Sequence, residues 1–368
     1  MKFTCEREPV LKEITNAYEI VSTRNSLSIL SNVLLEVADD RLLVRATDLK
    51  VNYESSIPVT VALPGSITVF CDKLHGILRS LPPGEVVFEQ GNDFELQITP
   101  LARNVRFQLK GIAAEKYPQF QTVEESTQFS FAQRDLIDMI AQTLFAVSDD
   151  ETRYFMNGVY LEKQDSKLTM VATDGRRLAY CSKEVDGAIA NFDGVIIPPK
   201  ALQILRRQAP KEGDFSIAVT AKNFHASYGA QRLASSLIDA QFPNYQRVIP
   251  EQQAHRLVID RVELEEGLKR VSLLVEQKSR RVHLETQPDV LVIRSSEGEI
   301  GAAREEVPCE YSGPEQALAL NYTYLLEPLR EMHSDQVALE FTDPSKSISL
   351  LPVPTADYYH IVMPMQTG

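Results

Sequence analysis

Lys2-Phe3-Thr4, followed by the amphipathic run Val10 to Val21, is a pattern that this chain writes three times. It returns as Gln128-Phe129-Ser130 before Leu136 to Val147, and as Arg256-Leu257-Val258 before Leu264 to Val275. Each opening reads as a short strand leading into a helix, because apolar residues recur near helical spacing. They are Leu11, Ile14, Ala17 and Tyr18, then Leu136, Met139, Thr143 and Leu144, then Leu264, Leu268, Val271 and Leu274. Leu11, Leu136 and Leu264 lie 125 and 128 residues apart. Similarity at so regular a period sets the architecture before any single motif does.

Working outward, each helix is followed by a strand pair with alternating apolar positions, such as Val33, Leu35, Val37 and then Leu42, Val44, Ala46. The first two pairs end alike, in Ala46-Thr47-Asp48 and Ala172-Thr173-Asp174, while the third has Arg294-Ser295-Ser296. A second helix follows at Asp72 to Leu81, Lys200 to Gln208 and Tyr322 to Met332. The repeats close on Tyr117-Pro118-Gln119-Phe120, Phe242-Pro243-Asn244-Tyr245 and Tyr358-Tyr359 leading to Pro364. The expected fold is therefore α+β, with three domains at 1–123, 124–251 and 252–368, each carrying two helices and roughly eight antiparallel strands. The polar segments Thr122 to Thr127 and Pro250 to Ala254 serve as linkers, with boundaries near Glu124 and Gln252. Domains joined head to tail form an arc, and a heterologous interface between arcs either closes a ring or propagates a fibre. Helices of about 12 residues span only ~18 Å, which suits the lining of a short pore.

Composition narrows the function. An apolar share of 43% excludes disorder, and no run reaches the ~18 residues of a membrane span. The charged N-terminus Met1 to Glu8 lacks a secretory core, so a soluble cytoplasmic protein is expected. Cys5, Cys71, Cys181 and Cys309 lie far apart, as small buried side chains rather than disulfide or zinc partners. The net charge of −13 argues against a tight grip on phosphates unless the basic residues are gathered locally. Lys200, Arg206, Arg207 and Lys211 gather on the second helix of the middle repeat, and Lys278, Arg280 and Arg281 after the first helix of the third.

No catalytic constellation emerges. His75, His225, His255, His283, His333 and His360 show no metal-ligand spacing, and neither a nucleophile elbow nor a phosphate-binding loop occurs. No metal, cofactor or catalytic residue is expected. Asp174-Gly175-Arg176-Arg177 could form a turn that receives a carboxylate or phosphate. On residues alone two other readings stay open: a monomeric three-domain scaffold, and a hydrolase with a carboxylate site at Asp149-Asp150-Glu151.

The chain resembles the bacterial DNA polymerase III beta subunit over nearly its whole length. The resemblance rests on Arg24 to Leu35 (RNSLSILSNVLL), Ala46-Thr47-Asp48-Leu49, Arg153 to Val159 (RYFMNGV), Val171 to Ala179 (VATDGRRLA), Phe242 to Val248 (FPNYQRV) and Val362-Met363-Pro364-Met365. It implies three clamp domains per half-ring, a homodimer closed around duplex DNA without sequence preference, and a non-catalytic role as processivity factor. DNA contacts would come from Arg24, Lys73, Arg79, Lys200, Arg207 and the loop at Tyr154 and Phe155. Partners, among them the polymerase alpha subunit and the clamp loader delta subunit, would insert a short peptide with a glutamine followed by leucine and phenylalanine. Its pocket would be lined by Met156, Thr173, Gly175, Arg176, Leu178, Pro243, Arg247, Val248, Tyr324, Ser347, Val362, Met363, Pro364 and Met365. Ring closure would pair Phe107 and Leu109 with Leu273 and Leu274 of a second copy.

Overall fold

The computed structural model describes residues 1–21, 29–120, 128–185, 189, 191–296, 298 and 301–365. Arg24, the boundary at Glu124 and the tail Gln366-Thr367-Gly368 lie outside them. Six α-helices stand among the described residues: α1 Arg7–Ile20, α2 Cys71–Ser80, α3 Gln133–Thr143, α4 Pro199–Gln208, α5 Arg261–Ser272 and α6 Thr323–Glu331. They punctuate a recurring order of one strand, a helix, three strands, one strand, a helix and three strands, with Thr60–Leu63 as an addition in the first repeat.

The first helix of each repeat starts three residues before its apolar periodicity, at Arg7, Gln133 and Arg261. A first turn needs no buried face, and it tolerates Pro9, whose missing N–H has no partner to lose there. Asp260 caps α5 by accepting the Glu263 N–H at 2.9 Å. In α1 the buried stripe is Val10, Ile14, Ala17 and Ile20, with Leu11 and Tyr18 half-buried at its margin. In α5 Leu264, Leu268 and Val271 are buried, but Leu274, which continues their spacing, is not.

The hairpin expected at Val33 to Ala46 forms as read. Strands Asn32–Ala38 and Arg41–Thr47 pair with Leu35 opposite Val44, and all six alternating residues are buried. Burial at about 25 cal/mol per Å² of apolar surface is what fixes such a register, since a one-residue slip would expose the whole set.

Contacts divide the chain into two compact units, Met1–Arg134 with Gln203–Leu237, and Asp135–Leu202 with Ile238–Gly368. Each is built on one continuous sheet, of thirteen strands in the first and twelve in the second. The middle repeat is shared between them, its strands at 192–197 and 159–184 joining the second sheet and those at 129–132 and 214–236 joining the first. In the first unit, Val51–Pro58 pairs antiparallel with Gln231–Ser236, Glu54 opposite Arg232. In the second, Arg177–Glu184 pairs antiparallel with Tyr358–Val362, Tyr180 opposite Tyr359. These two seams are the same seam written twice, offset by one repeat.

Candidate functional site

The shared Ala-Thr-Asp segments turn out to be a turn code. Thr47 Oγ1 accepts the Leu49 N–H at 2.9 Å, and Asp48 Oδ1 accepts those of Lys50 and Val51 at 2.9 and 2.7 Å. One repeat later Thr173 Oγ1 accepts the Gly175 N–H at 3.1 Å, and Asp174 Oδ1 those of Arg176 and Arg177 at 2.8 and 3.0 Å. Short oxygen side chains that capture nearby N–H groups close such turns. The residue after the aspartate is left-handed in both, with φ of 76° at Leu49 and 84° at Gly175.

Around the second turn the structure gathers much of the expected pocket. A Cβ on Gly175 would lie 2.9 Å from Arg153 Nη1 and 3.9 Å from Met156 Cε, so glycine lets these side chains approach the backbone. The Met363 N–H donates to the Arg176 carbonyl at 2.9 Å, and the Met365 N–H to that of Ala319 at 2.8 Å, leading the C-terminal segment across the site past Pro364. Val362 pairs with both Arg177 and Ile348. The neighbouring Ser347 carbonyl accepts Gln253 Nε2 at 2.9 Å. Leu178 is buried with Ile361, Phe242 and Tyr245 in one apolar cluster, which holds the Pro243 loop. Beyond it the short 3₁₀ turn Tyr245–Val248 leaves Arg247 and Val248 exposed.

Arg177 and Arg153 were not expected in the site. Arg177 donates to Asp174 at 3.1 Å, to Glu327 and to the Phe145 carbonyl, and its guanidinium lies over the rings of Tyr324, 4.5 Å away, and Phe145. The Asp-Gly-Arg-Arg turn is therefore no open anion site: its second arginine is consumed internally, and a fork already satisfied by two carboxylates has little left for a phosphate. Arg153 Nε donates to Asp150 at 2.9 Å. Asp150 Oδ1 also accepts the Thr152 hydroxyl and N–H, and these bonds, the hydroxyl first, hold its carboxyl below the usual carboxylate range. That reach of Arg153 back to the turn carries no sequence signal. The fate of Arg177 had one, the acid-glycine-arginine spacing, but not its partner on α6.

Beside the pocket, Tyr245 and Tyr160 donate their hydroxyls to the two oxygens of Glu162, at 2.7 and 3.0 Å. Burial, and then Glu162, push both hydroxyl pKa values up.

The basic candidates sit on helices. Lys73 and Arg79 are exposed on α2, with Lys73 3.3 Å from Asp72. On α4 Lys200 is half-buried and Arg207 exposed, the latter 3.1 Å from Glu19. Tyr154 is 55% exposed and meets Phe155 edge to face in the 3₁₀ turn Glu151–Met156. Leu273 is 80% exposed and Leu274 37%, while Phe107 and Leu109 are half-buried. Phe107–Ile112 pairs along 107–110 with Glu95–Pro100 on one side, and on the other side meets Gly65–Phe70 only at Gly111 and Ile112. Arg304–Glu310 likewise pairs along 304–308 with Val290–Ser295, and meets His255–Asp260 only at Cys309 and Glu310. Among the described residues both strands thus leave a segment of open edge.

Cys5, Cys71 and Cys181 are buried, and Cys309 is half-buried. Among the described residues no cluster of metal-ligating side chains forms, and no helix is long and apolar enough to cross a membrane.

Three family models match the chain in order: the N-terminal domain of the DNA polymerase III beta subunit over residues 1–121, its central domain over 130–244 and its C-terminal domain over 246–366. The beta sliding clamp of Treponema pallidum is 44% identical over 371 residues, and that of Escherichia coli 30% over 368, each covering all of both chains. The crystal structure of the Bacillus subtilis DNA polymerase sliding clamp superposes with a TM-score of 0.95 at 25% identity, again over both whole chains. Repeat, seam and relatives define the class as sliding clamps, which are processivity factors and not enzymes. The chain belongs to the DNA polymerase III beta subunit family.

Proposed function

We propose that two copies of this chain close head to tail into a ring of six domains, cut at 1–123, 124–251 and 252–368, around duplex DNA. One observation carries the closure. The ring needs three kinds of seam, and two exist within the chain, between 51–58 and 231–236 and between 177–184 and 358–362. The strands that hold the corresponding places in the third seam are Arg304–Glu310 and Phe107–Ile112, and among the described residues each keeps a segment of open edge where its counterparts are paired. An open edge beside exposed Leu273 and Leu274 is what a natural protein covers by strand addition from a partner.

Hold on the template is then topological, and phosphate contacts stay weak and mobile so that sliding is not arrested. Lys73, Arg79, Lys200, Arg207 and Tyr154, with Phe155 and Arg24, supply them. The Met156 to Met365 pocket receives the short peptides of the polymerase alpha subunit, the clamp loader delta subunit and other partners. Methionines give an adaptable wall there, and Arg176 and Arg247 fix the polar end of the peptide.

The test is retention on DNA after loading. The protein should stay on sealed plasmid at 0.5 M salt and leave when the plasmid is cut once. Equal retention on cut plasmid would refute the ring.

A further inference from the structure

The seam in the second unit differs from its counterpart in the first in a way the fold does not require. On the outward face of the first seam, Glu54 stands opposite Arg232, and the two form an ion pair at 3.6 Å. At the equivalent ladder position of the second seam stand Tyr180 and Tyr359, stacked with ring centroids 4.5 Å apart and only half-buried. A position that takes an ion pair in one repeat does not need aromatic rings to hold the sheet in the next.

These rings pack against the apolar cluster that holds Leu178 and Ile361. Leu178 and Ile361 are the pair two ladder positions from Tyr180 and Tyr359 on the same face, about 7 Å along the strands. One row further and two strands across, opposite Thr169 and through it Ser182, lies Glu162, whose two oxygens accept from Tyr245 and Tyr160. Tyr245 lies 6.1 Å from Tyr180 between ring centroids, and Glu162 forms no ion pair among the described residues. Aromatic faces beside a carboxylate that no cation neutralises favour a positively charged guest, drawn by ring quadrupole and charge alike.

We propose that the partner groove runs on past Leu178 over Tyr180 and Tyr359 to Glu162, and that this extension takes a lysine or arginine flanking the motif of the bound peptide. The proposal rests on the groove reading given above and names a further chemical requirement of its partners.

Fluorescence anisotropy with four labelled peptides tests it: a peptide carrying Gln-Leu-Ser-Leu-Phe alone, the same with Lys-Gly-Lys added at the N-terminal or at the C-terminal end, and the same with Ala-Gly-Ala at both ends. One lysine extension should bind about fivefold tighter than the alanine control. That gain should vanish in Glu162→Gln and in Tyr359→Leu while the unextended peptide keeps its affinity, which also shows both variants folded. No gain from either lysine extension, or a gain that survives both substitutions, overturns the proposal. If the unextended peptide fails to bind the unaltered protein, the groove reading itself falls and the extension with it.

Discussion

Arg177 and Glu327 form an ion pair that ties the groove turn to helix α6, with the arginine side chain only 9% exposed. The same guanidinium holds Asp174 and the Phe145 carbonyl, so one side chain joins three segments of the second unit: its own turn, the stretch at Phe145 and helix α6. Arg177→Ala should lower unfolding stability by about 3 kcal/mol, because it strands two carboxylates and a carbonyl together. Urea denaturation measures this. Arg177→Lys should recover little, since a point charge cannot reproduce the planar fork. Stability within 1 kcal/mol of the parent in Arg177→Ala, against the ~3 expected, would remove the hub from the account.

Leu49 and Gly175 occupy the same turn position with almost the same φ, yet only one is glycine. A branched side chain in the left-handed region costs about 1–2 kcal/mol, and Leu49, at 60% exposed, recovers little of it by burial. Leu49→Gly should therefore be neutral or stabilising by up to about 1 kcal/mol, part of the relief being offset by greater freedom of the unfolded chain. Gly175→Ala should destabilise by about 1–2 kcal/mol, since strain adds to its 2.9 Å approach to Arg153. Thermal melts should fall for Gly175→Ala and hold or rise for Leu49→Gly.

How much of this was legible depends on the range of the interaction. The three-fold recurrence of strand, helix and hairpin could be read because 3.6- and 2-residue periodicities are local, and Val33 to Ala46 folds as its alternation dictates. The helices start at Arg7, Gln133 and Arg261, ahead of the apolar spacing, because a first turn is held by backbone and caps, not by an apolar face. The pocket could be named residue by residue only through resemblance. The spacing in Asp174-Gly175-Arg176-Arg177 points to an anion site and not to the internal ion pair, since Glu327 lies 150 residues away and no spacing rule reaches it. The sharing of the middle repeat between two sheets was equally hidden, because strand pairing across a seam leaves no periodic trace.

His360 is fully buried, and burial together with the neighbouring Arg177 charge lowers its pKa to about 3. A histidine that stays neutral when folded but protonates near pH 6.5 when unfolded gives stability that is complete above 6.5 and is lost as pH falls toward 3. His225 and His283 are shifted down as well, mainly by burial, and add in the same direction. Unfolding free energy should drop by roughly 1.4 kcal/mol per pH unit for His360 alone once below its unfolded pKa. Denaturation at pH 7, 6 and 5 should show this slope, and His360→Leu should flatten it. An unchanged slope in the variant would assign the acid sensitivity elsewhere.

Met363 and Met365 flank Pro364 on a segment fixed by backbone bonds to Arg176 and Ala319, so their side chains can be trimmed without releasing the chain. Met363→Ala with Met365→Ala should abolish binding of a Gln-Leu-Ser-Leu-Phe peptide, because the pocket loses two adaptable apolar walls. The double variant should sediment as the dimer, since the open edges at 107–110 and 304–308 are untouched. Leu273→Asp should do the reverse, driving the protein to monomer by placing a charge in the seam while the peptide affinity stays within about twofold of the parent's. Analytical ultracentrifugation and anisotropy on the same samples separate the two surfaces. Loss of both properties in either variant would mean that groove and seam are one energetic unit.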